Sequence, residues 1–372
     1  MSIPFIDLKS QYLDLKSAID SRISEVLSHG QYIMGPEVVE LEQRLADETG
    51  SKYCITVSSG TDALLIALMA LDIGPGDEVI TTPFTFVSTA EVILMLGAKP
   101  IFVDVEVDTC NLNVSLLEEK ISERTKAIIP VNLYGQPVDY NELHALAHKY
   151  GDIPIVEDAA QSFGAEYFGR KSGSLGTIGC TSFFPSKPLG CYGDGGAIFT
   201  DEQGIAEICR KIRIHGQSQR YVHERLGIAG RMDTLQCAIV LAKIDHFGWE
   251  LRQRSIIGER YDYMIDELGI ARVQQRADRT SVFAQYTIFI DDRESVADYL
   301  LSEDIPTAVH YPVPLNEQSF YSERSGGGST PVASELASRV ISLPMSPYLS
   351  RSDQDRVAGS LSTYLSTKRK MN

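Results

Sequence analysis

Lys187 lies between an aromatic segment and a glycine-rich turn. Residues 181–190 read Thr-Ser-Phe-Phe-Pro-Ser-Lys-Pro-Leu-Gly, and residues 193–196 read Gly-Asp-Gly-Gly. Glycine lets a ligand approach the backbone closely, and an apolar setting lowers the pKa of a lysine by desolvation. The neutral amine of such a lysine attacks carbonyl groups and forms a Schiff base. The alternative interpretation is an ordinary solvated lysine on a loop.

A second segment has the composition of a phosphate-binding turn. Residues 58–62 read Ser-Ser-Gly-Thr-Asp, after an apolar run at 53–57 and before a helix-forming sequence at 63–69. A strand, a turn of small residues and a helix start offer backbone N–H groups and the positive helix end to an anion. The alternative is an ordinary helix N-cap formed by Ser59, Thr61 or Asp62.

Two adjacent carboxylates end an apolar run at residues 153–156. If this run is a strand, Glu157 and Asp158 point to opposite faces of the sheet, so we expect them to have different roles. Ligands of open α/β sheets bind outside the carboxyl ends of the strands. An acid at that position can hold the protonated pyridine nitrogen of pyridoxal 5′-phosphate (PLP). The alternative is a helix N-cap formed by Asp158.

These three segments, in this order, resemble the PLP-dependent nucleotide-sugar aminotransferases of fold-type I, the aspartate-aminotransferase-like group. The resemblance runs from Phe5 to Met345, which is nearly the whole chain. Within that family, residues 183–200 and the sequence Ala-Val-His-Tyr-Pro at 308–312 are most similar to enzymes that aminate a UDP-linked 3-keto-hexuronic acid.

The pattern of apolar residues and the resemblance agree on the fold class. From residue 53 to about residue 200, short β-rich runs alternate with helical stretches, which is typical of a mostly parallel sheet with helices on both faces. The resemblance implies an α/β fold of fold-type I, with a mostly parallel seven-stranded central sheet and a smaller α/β C-terminal domain. We expect the large domain at 1–245 and the small domain at 246–372, and a surface loop at Ser325–Ser329.

The resemblance also assigns roles to residues of the site. Lys187 would hold PLP and transfer the proton, and Asp158 would keep the pyridine nitrogen protonated. The other cofactor-binding positions are Phe86 against the ring, Gln161 beside the ring hydroxyl, and Gly60, Thr61 and Ser182 at the phosphate. Candidates for binding a sugar carboxylate are Arg231, His310 and Tyr311. Phe86 could instead be a core residue, and His310 an ordinary loop histidine.

The activity that the resemblance implies is transamination. L-glutamate would donate the amino group to UDP-2-acetamido-2-deoxy-3-keto-glucuronic acid, for the synthesis of a surface polysaccharide such as O-antigen, in a homodimer with shared active sites. Alternatives are a different acceptor, a dTDP-linked 3-keto or 4-keto-6-deoxy sugar, or a ligand-binding regulator without turnover. A deoxysugar dehydrase of the same family would carry His at position 187, where this chain has Lys.

One position departs from the family pattern. The family has Asn two residues before the Arg of an Asn-x-Arg-Met/Leu-Asp segment, where it reaches across the dimer to the PLP phosphate. Residue 229 of this chain is Ala, and an alanine side chain cannot donate a hydrogen bond. Either the phosphate is held without this contact, or another residue or a water replaces it.

The net charge and the pattern of cysteines and histidines limit which partners and metal sites we expect. A net charge of −16 argues against nucleic acid or an anionic membrane as partner. A UDP-sugar is also an anion, and the basic residues within 210–231 are the candidates to bind it. Six cysteines without metal-site spacing, and no signal or membrane-spanning pattern, favour a cytoplasmic protein. We expect no metal site, since His144 and His148 lack further ligands, and no Rossmann site, since the glycines at 190–196 precede a strand.

Overall fold

The computed structural model describes residues 2–325 and 328–371, so Gly326 and Gly327 of the predicted surface loop lie outside the described residues. The helices are α1 (Leu8–His29), α2 (Pro36–Thr49), α3 (Gly60–Ala70), α4 (Ser88–Met95), α5 (Tyr140–Lys149), α6 (Gln203–Ile212), α7 (Thr234–Glu267), α8 (Arg293–Ser302), α9 (Ser319–Ser322), α10 (Pro331–Arg339) and α11 (Arg351–Met371). Across the described ranges, no helix combines the length and apolar character needed to cross a membrane.

The strands alternate with these helices in the first part of the chain and become antiparallel in the last part. They are β1 (Tyr53–Val57), β2 (Glu78–Thr81), β3 (Lys99–Phe102), β4 (Thr125–Ile129), β5 (Val156–Asp158), β6 (Glu166–Tyr167), β7 (Arg170–Lys171), β8 (Ile178–Ser182), β9 (Gly196–Thr200), β10 (Gln217–Gln219), β11 (Val222–His223), β12 (Ala271–Arg272), β13 (Tyr286–Phe289) and β14 (Val340–Leu343).

Seven strands form the central sheet in the order β3-β2-β4-β5-β8-β9-β1. Two parallel bridges, Ile128 with Ile155 and Val131 with Asp158, join β4 to β5 and so connect the two halves. Only β9 runs antiparallel to its neighbours β8 and β1, while the other pairs are parallel. The prediction of a mostly parallel seven-stranded sheet is therefore confirmed.

Helices cover both faces of this sheet because alternate strand residues are apolar on each face. On β9, Ile198 packs into a core with the buried helix α3. Its neighbours Ala197 and Phe199 pack into a second core with α2 and α7 on the other face. All three side chains are fully buried. A strand that is apolar at successive positions is thus explained by its place between two helical layers.

The C-terminal part has its own core around the antiparallel sheet β12-β13-β14. Helix α7 is 34 residues long and runs unbroken from the first part into this core, where Tyr261 and Ile265 are fully buried. Ile3 joins the same core, and its N–H donates to the Asp304 carbonyl at 3.2 Å. The proposed domain boundary between residues 245 and 246 falls inside α7.

Buried charges hold the C-terminal part against the central sheet. The Asp104 carboxylate, at the end of β3, accepts the N–H groups of Val332 and Ala333 at 3.0 and 2.9 Å, at the start of α10. Arg279 donates to the Pro137 carbonyl at 2.7 Å. An acid at a helix start is stabilising because it complements the helix dipole. These contacts hold the start of α10 and the Arg279 side chain against loops that follow β3 and β4.

Candidate active site

A cavity of about 460 Å³ lies beyond the carboxyl ends of β1, β5 and β8, beneath the C-terminal part. Nine of the ten predicted site residues line it, and the tenth, Arg231, does not. The nine are Gly60, Thr61, Phe86, Asp158, Gln161, Ser182, Lys187, His310 and Tyr311. They come from five separate stretches of the chain, so the fold brings together motifs that the sequence only suggested one at a time.

Lys187 projects from a tight turn between β8 and β9. Its N–H donates to the Phe184 carbonyl at 2.8 Å, and the Cys191 N–H closes the turn on Phe183 at 2.7 Å. Lys243, buried on α7, donates to the Gly190 carbonyl at 2.6 Å and steadies the turn from outside. Desolvation lowers the pKa of Lys187, and the negative charge of Asp158 only partly opposes this effect. The amine is therefore closer to its nucleophilic, neutral form than a surface lysine.

Asp158 is buried at the end of β5 and faces the cavity. Its carboxylate accepts from the Thr89 hydroxyl at 3.0 Å and from the Ala160 N–H at 3.2 Å. Burial raises the pKa of this carboxyl, although both hydrogen bonds and Lys187 favour the charged form. A cationic ligand beside Asp158 would stabilise that charge. Among the described residues no α-helix begins between β5 and β6, so the alternative of a helix N-cap is wrong.

Glu157 points to the opposite face and has a structural environment. It is fully buried, and its carboxylate accepts four hydrogen bonds, three of them from the segment at 172–175. The donors are Asn132 Nδ2 at 2.9 Å, Ser172 Oγ at 2.7 Å, and the N–H groups of Gly173 at 2.8 Å and Leu175 at 2.9 Å. The prediction that the two acids have different roles agrees with these different surroundings.

We expect Glu157→Gln to lower stability and leave the chemistry of the cavity intact. The NH₂ group of the new amide would face groups that are themselves hydrogen-bond donors. Such a mismatch in the interior lowers the free energy of unfolding by about 1–3 kcal/mol. The free energy of unfolding in urea should fall by that amount, whereas Glu166→Gln, at a partly exposed ion pair, should change it little. An unchanged urea midpoint for Glu157→Gln would contradict this account.

A cradle for an anion lies where α3 and α4 begin. The Ser59 hydroxyl caps α3 by accepting the Asp62 N–H at 3.0 Å, so the N-cap interpretation holds for Ser59 itself. The hydroxyls of Thr61 and Ser88 lie 2.7 Å apart. A Cβ on Gly60 would lie 2.6 Å from the Cβ of Ser182, so glycine is needed for this close approach. Two helix starts and several hydroxyls make a site suited to a phosphate.

The aromatic and amide side chains of the cavity are positioned by contacts from the central-sheet part and the C-terminal part of the chain. Phe86 is 53% exposed, so the alternative of a core phenylalanine is wrong, and its ring lies 6.2 Å from that of Tyr311. Gln161 is buried, accepts the Tyr134 N–H at 2.8 Å and donates to the Tyr311 hydroxyl at 3.3 Å.

His310 is neutral in this site. Burial, and then the charge of Lys187, lower the pKa of His310 to about 4. Its Nδ1 lies 3.2 Å from the Ser342 hydroxyl, which in turn lies 2.9 Å from the hydroxyl of Thr287. A neutral imidazole has one N–H donor. When Ser342 donates to Nδ1, that donor is Nε2.

Several residues that support the site were not predicted from the sequence. Thr89 binds Asp158, and Ser88 pairs with Thr61; both lie on the first turn of α4, directly after Phe86. Because these two residues come shortly after Phe86 in the sequence, they could have been predicted to lie near the site. Ser342 is 32 residues from His310 and carries no local signal.

Three of the basic residues at 210–231, the stretch that was expected to bind the anionic sugar, are paired with acids on this chain. Lys211 pairs with Glu224 at 2.8 Å, Arg225 pairs with Asp72 at 3.4 Å, and Arg213 is buried against Glu42. None of the basic residues in this stretch belongs to the described cavity lining. Arg231 lies beside the cradle, since the Ser58 N–H donates to the Gly230 carbonyl at 3.0 Å. Its Nε is buried without a hydrogen-bond partner among the described residues.

The sequence comparisons with known proteins agree on one protein family. The sequence profile of the DegT/DnrJ/EryC1/StrS aminotransferase family matches residues 13–362. The UDP-2-acetamido-2-deoxy-3-oxo-D-glucuronate aminotransferase of Pseudomonas aeruginosa is 54% identical over 93% of this chain and 96% of its own. A pleiotropic regulatory protein of Geobacillus stearothermophilus is 40% identical over 98% of this chain and 99% of its own.

Solved structures agree in fold along nearly the whole chain. An aminotransferase of the same family from Brucella abortus superposes with a TM-score of 0.94, at 40% identity, over 97% of this chain and 99% of its own. NtdA from Bacillus subtilis, solved with the cofactor PMP bound, gives a TM-score of 0.88 at 30% identity, over 97% of this chain and 84% of its own.

The residues of the cavity fit PLP. The cradle at Gly60, Thr61 and Ser182 suits its phosphate, the buried Asp158 suits its ring nitrogen, and Lys187 has the lowered pKa that covalent attachment needs. Phe86 offers an aromatic face to a planar ring. The fold, this site and the profile match lead to one conclusion: the chain belongs to the DegT/DnrJ/EryC1/StrS aminotransferase family and uses pyridoxal 5′-phosphate.

Proposed function

We propose that this aminotransferase moves the amino group of L-glutamate to the 3-keto carbon of UDP-2-acetamido-2-deoxy-3-keto-glucuronic acid. The observation that carries the proposal is the single cavity in which Lys187 and Asp158 face His310 and Tyr311. The 54% identity to the Pseudomonas aeruginosa enzyme supports this acceptor over other keto-sugars. The experiment that tests it is a comparison of UDP- and dTDP-linked keto-sugars as acceptors, with glutamate as donor.

Each residue of the cavity has a distinct task in this scheme. Bound PLP supplies an electron sink next to the carbon that gains or loses a proton. Lys187 holds the cofactor and, when free, accepts and returns that proton as general base and acid. Asp158 favours a protonated ring nitrogen, and Thr89 fixes the carboxylate in the orientation for that contact. Phe86 would pack against the cofactor ring and keep water away from it.

On this chain, the acceptor side of the cavity offers neutral hydrogen-bond donors to an anionic sugar. Neutral His310 offers one N–H, and the phenol of Tyr311 offers an O–H; both can donate to a carboxylate. Hydrogen bonds to a charged acceptor are worth about 1.5–3 kcal/mol. A buried neutral donor also avoids the cost of burying a second cation beside Lys187.

The active unit that we propose is a homodimer in the cytoplasm. A hairpin formed by β10 and β11 projects from the chain, with Tyr221 and the nearby Leu226 strongly exposed. Exposed apolar side chains of this size are typical of an interface. In such a dimer, we propose that Arg231 enters the active site of the second subunit. The product would serve the assembly of a surface polysaccharide such as O-antigen.

Arg231→Ala tests the assignment of a uronic acid. The wild-type enzyme should prefer a 3-keto uronate over the matching 3-keto sugar with a neutral C6 hydroxymethyl, and the variant should lose that preference. Loss of one charge-assisted contact should weaken the acceptor half-reaction by about tenfold or more. The measurement is kcat/KM for both acceptors. A wild type without preference would leave a broader nucleotide-sugar aminotransferase as the function, and a protein without turnover would favour a regulator.

Hybrid dimers decide whether Arg231 acts across the interface. A dimer of one Lys187→Ala chain and one Arg231→Ala chain contains one complete site only if Arg231 serves the other subunit. The isolated hybrid dimers should then have about half of the wild-type activity, and their active sites should show the full uronate preference. If Arg231 serves its own chain, neither site is complete and the preference does not return.

A further inference from the structure

Tyr134 links the cofactor side and the substrate side of the cavity without lining it. Its backbone N–H donates to Gln161 Oε1 at 2.8 Å, and its carbonyl accepts the Ala284 N–H at 3.0 Å. Its side-chain hydroxyl donates to the carbonyl of His310. All three polar groups of this residue therefore hold segments that lie far apart in the sequence.

The backbone at Tyr134 is in an unusual conformation. Its φ is +59°, in the left-handed region that favours glycine, and the next residue, Gly135, has φ +117°. A bulky residue in this region costs about 1–2 kcal/mol relative to the right-handed conformation. A chain that keeps tyrosine at such a position has a use for the side chain, since Gly or Asn would relieve the strain.

The hydroxyl of Tyr134 is a dependable donor. It is buried, and desolvation raises the pKa of the phenol well above its usual value, so the group stays protonated. Its acceptor, the His310 carbonyl, precedes Tyr311 directly. The same short segment is held from the other side, where the Ala308 N–H donates to the Ser342 carbonyl at 3.1 Å. The segment is thus fixed at two points around His310.

We infer that Tyr134 is the positioning residue that sets His310 and Tyr311 relative to Gln161, and so aligns the acceptor sugar with the cofactor. This inference rests on the proposed function, because it assigns His310 and Tyr311 to the acceptor. Gln161 is tied to the backbone N–H of Tyr134, whereas His310 is tied to its hydroxyl. Removing the hydroxyl alone therefore loosens the substrate side and keeps the backbone hydrogen bond that holds Gln161.

Tyr134→Phe isolates the hydroxyl. We expect KM for the keto-sugar acceptor to rise about threefold to tenfold, as for the loss of one neutral hydrogen bond. The rate at which glutamate bleaches the visible absorption of the PLP-loaded enzyme should change less than about twofold, by the same reasoning. The matched control is Tyr261→Phe, which removes another buried hydroxyl bound to a carbonyl, that of Pro344 at 3.2 Å, far from the cavity.

A binding measurement keeps this test separate from the proposed reaction. The dissociation constant of UDP-glucuronic acid for the PLP-loaded protein, by calorimetry, should also rise about threefold to tenfold in Tyr134→Phe and stay unchanged in Tyr261→Phe. If the wild type binds this probe but aminates no uronate, the proposed function fails and the inference is still tested. Equal effects of both variants, or a slower glutamate half-reaction in Tyr134→Phe alone, would overturn the positioning role.

Discussion

Lys187→Ala should abolish turnover while the protein stays folded. The variant loses both the amine that attaches the cofactor and the group that moves the proton, and general acid–base catalysis alone contributes about 10²–10⁴-fold. We expect PLP to bind through the phosphate cradle and the ring contacts, but without the absorption band that attachment to lysine produces. The measurements are the visible spectrum of the purified variant and its rate with glutamate and the keto-sugar.

Two controls separate the chemistry of Lys187 from a general effect of losing a lysine. Lys171→Ala removes a half-buried lysine that pairs with Glu166 at 3.0 Å, and it should leave the rate near that of the wild type. A small primary amine added to Lys187→Ala should restore part of the proton transfer, because the cavity then has room for it. A variant that turns over at wild-type rates without added amine would refute the proposed mechanism.

Asp158→Asn should retain PLP and lose most of the activity. A carboxylate beside a pyridinium shifts its pKa by roughly 1–3 units, so its replacement by a neutral amide should slow the reaction by about tenfold to a thousandfold. Asparagine has the same shape and can still accept from Thr89, so the fold should remain. The measurement is kcat with saturating substrates, together with the cofactor content of the purified protein.

Glu157→Gln is the matched control for Asp158→Asn. The two carboxylates are neighbours on β5 and both are buried, but only Asp158 faces the cavity. The change at 157 should appear mainly in stability and the change at 158 mainly in rate. Near-normal rates for Asp158→Asn, or a larger rate loss for Glu157→Gln, would contradict the assignment.

The parts of the site that the sequence predicts are those built from one short stretch of chain. The turn at Gly60 follows β1, Asp158 is the last residue of β5, and Lys187 comes five residues after the end of β8, so the local pattern places them at the carboxyl edge of the sheet. His310 and Tyr311 were predicted from the resemblance, because their position at the cavity depends on how the C-terminal part of the chain packs.

Contacts between residues far apart in the chain could not be predicted from the sequence. The basic stretch at 210–231 was expected to bind an anion, but Arg213 and Arg225 are paired with Glu42 and Asp72, which precede them by more than 150 residues. Tertiary packing decides which basic side chains are paired with acids, and counting basic residues in one stretch of sequence does not reveal those pairs. The same holds for Tyr134, whose partners lie at 161, 284 and 310.

The unbroken course of α7 bears on how such enzymes can be recombined. At 1.5 Å per residue, its 34 residues span about 50 Å. Near one end Lys243 braces the turn that carries Lys187, and near the other Tyr261 belongs to the C-terminal core. A chimera joined at residue 245 would combine two halves of α7 from different parents. The apolar residues of both halves would have to lie on the same side of the helix. Crossovers that exchange acceptor preference between relatives should therefore be placed in loops on either side of this helix, with the helix inherited whole from one parent.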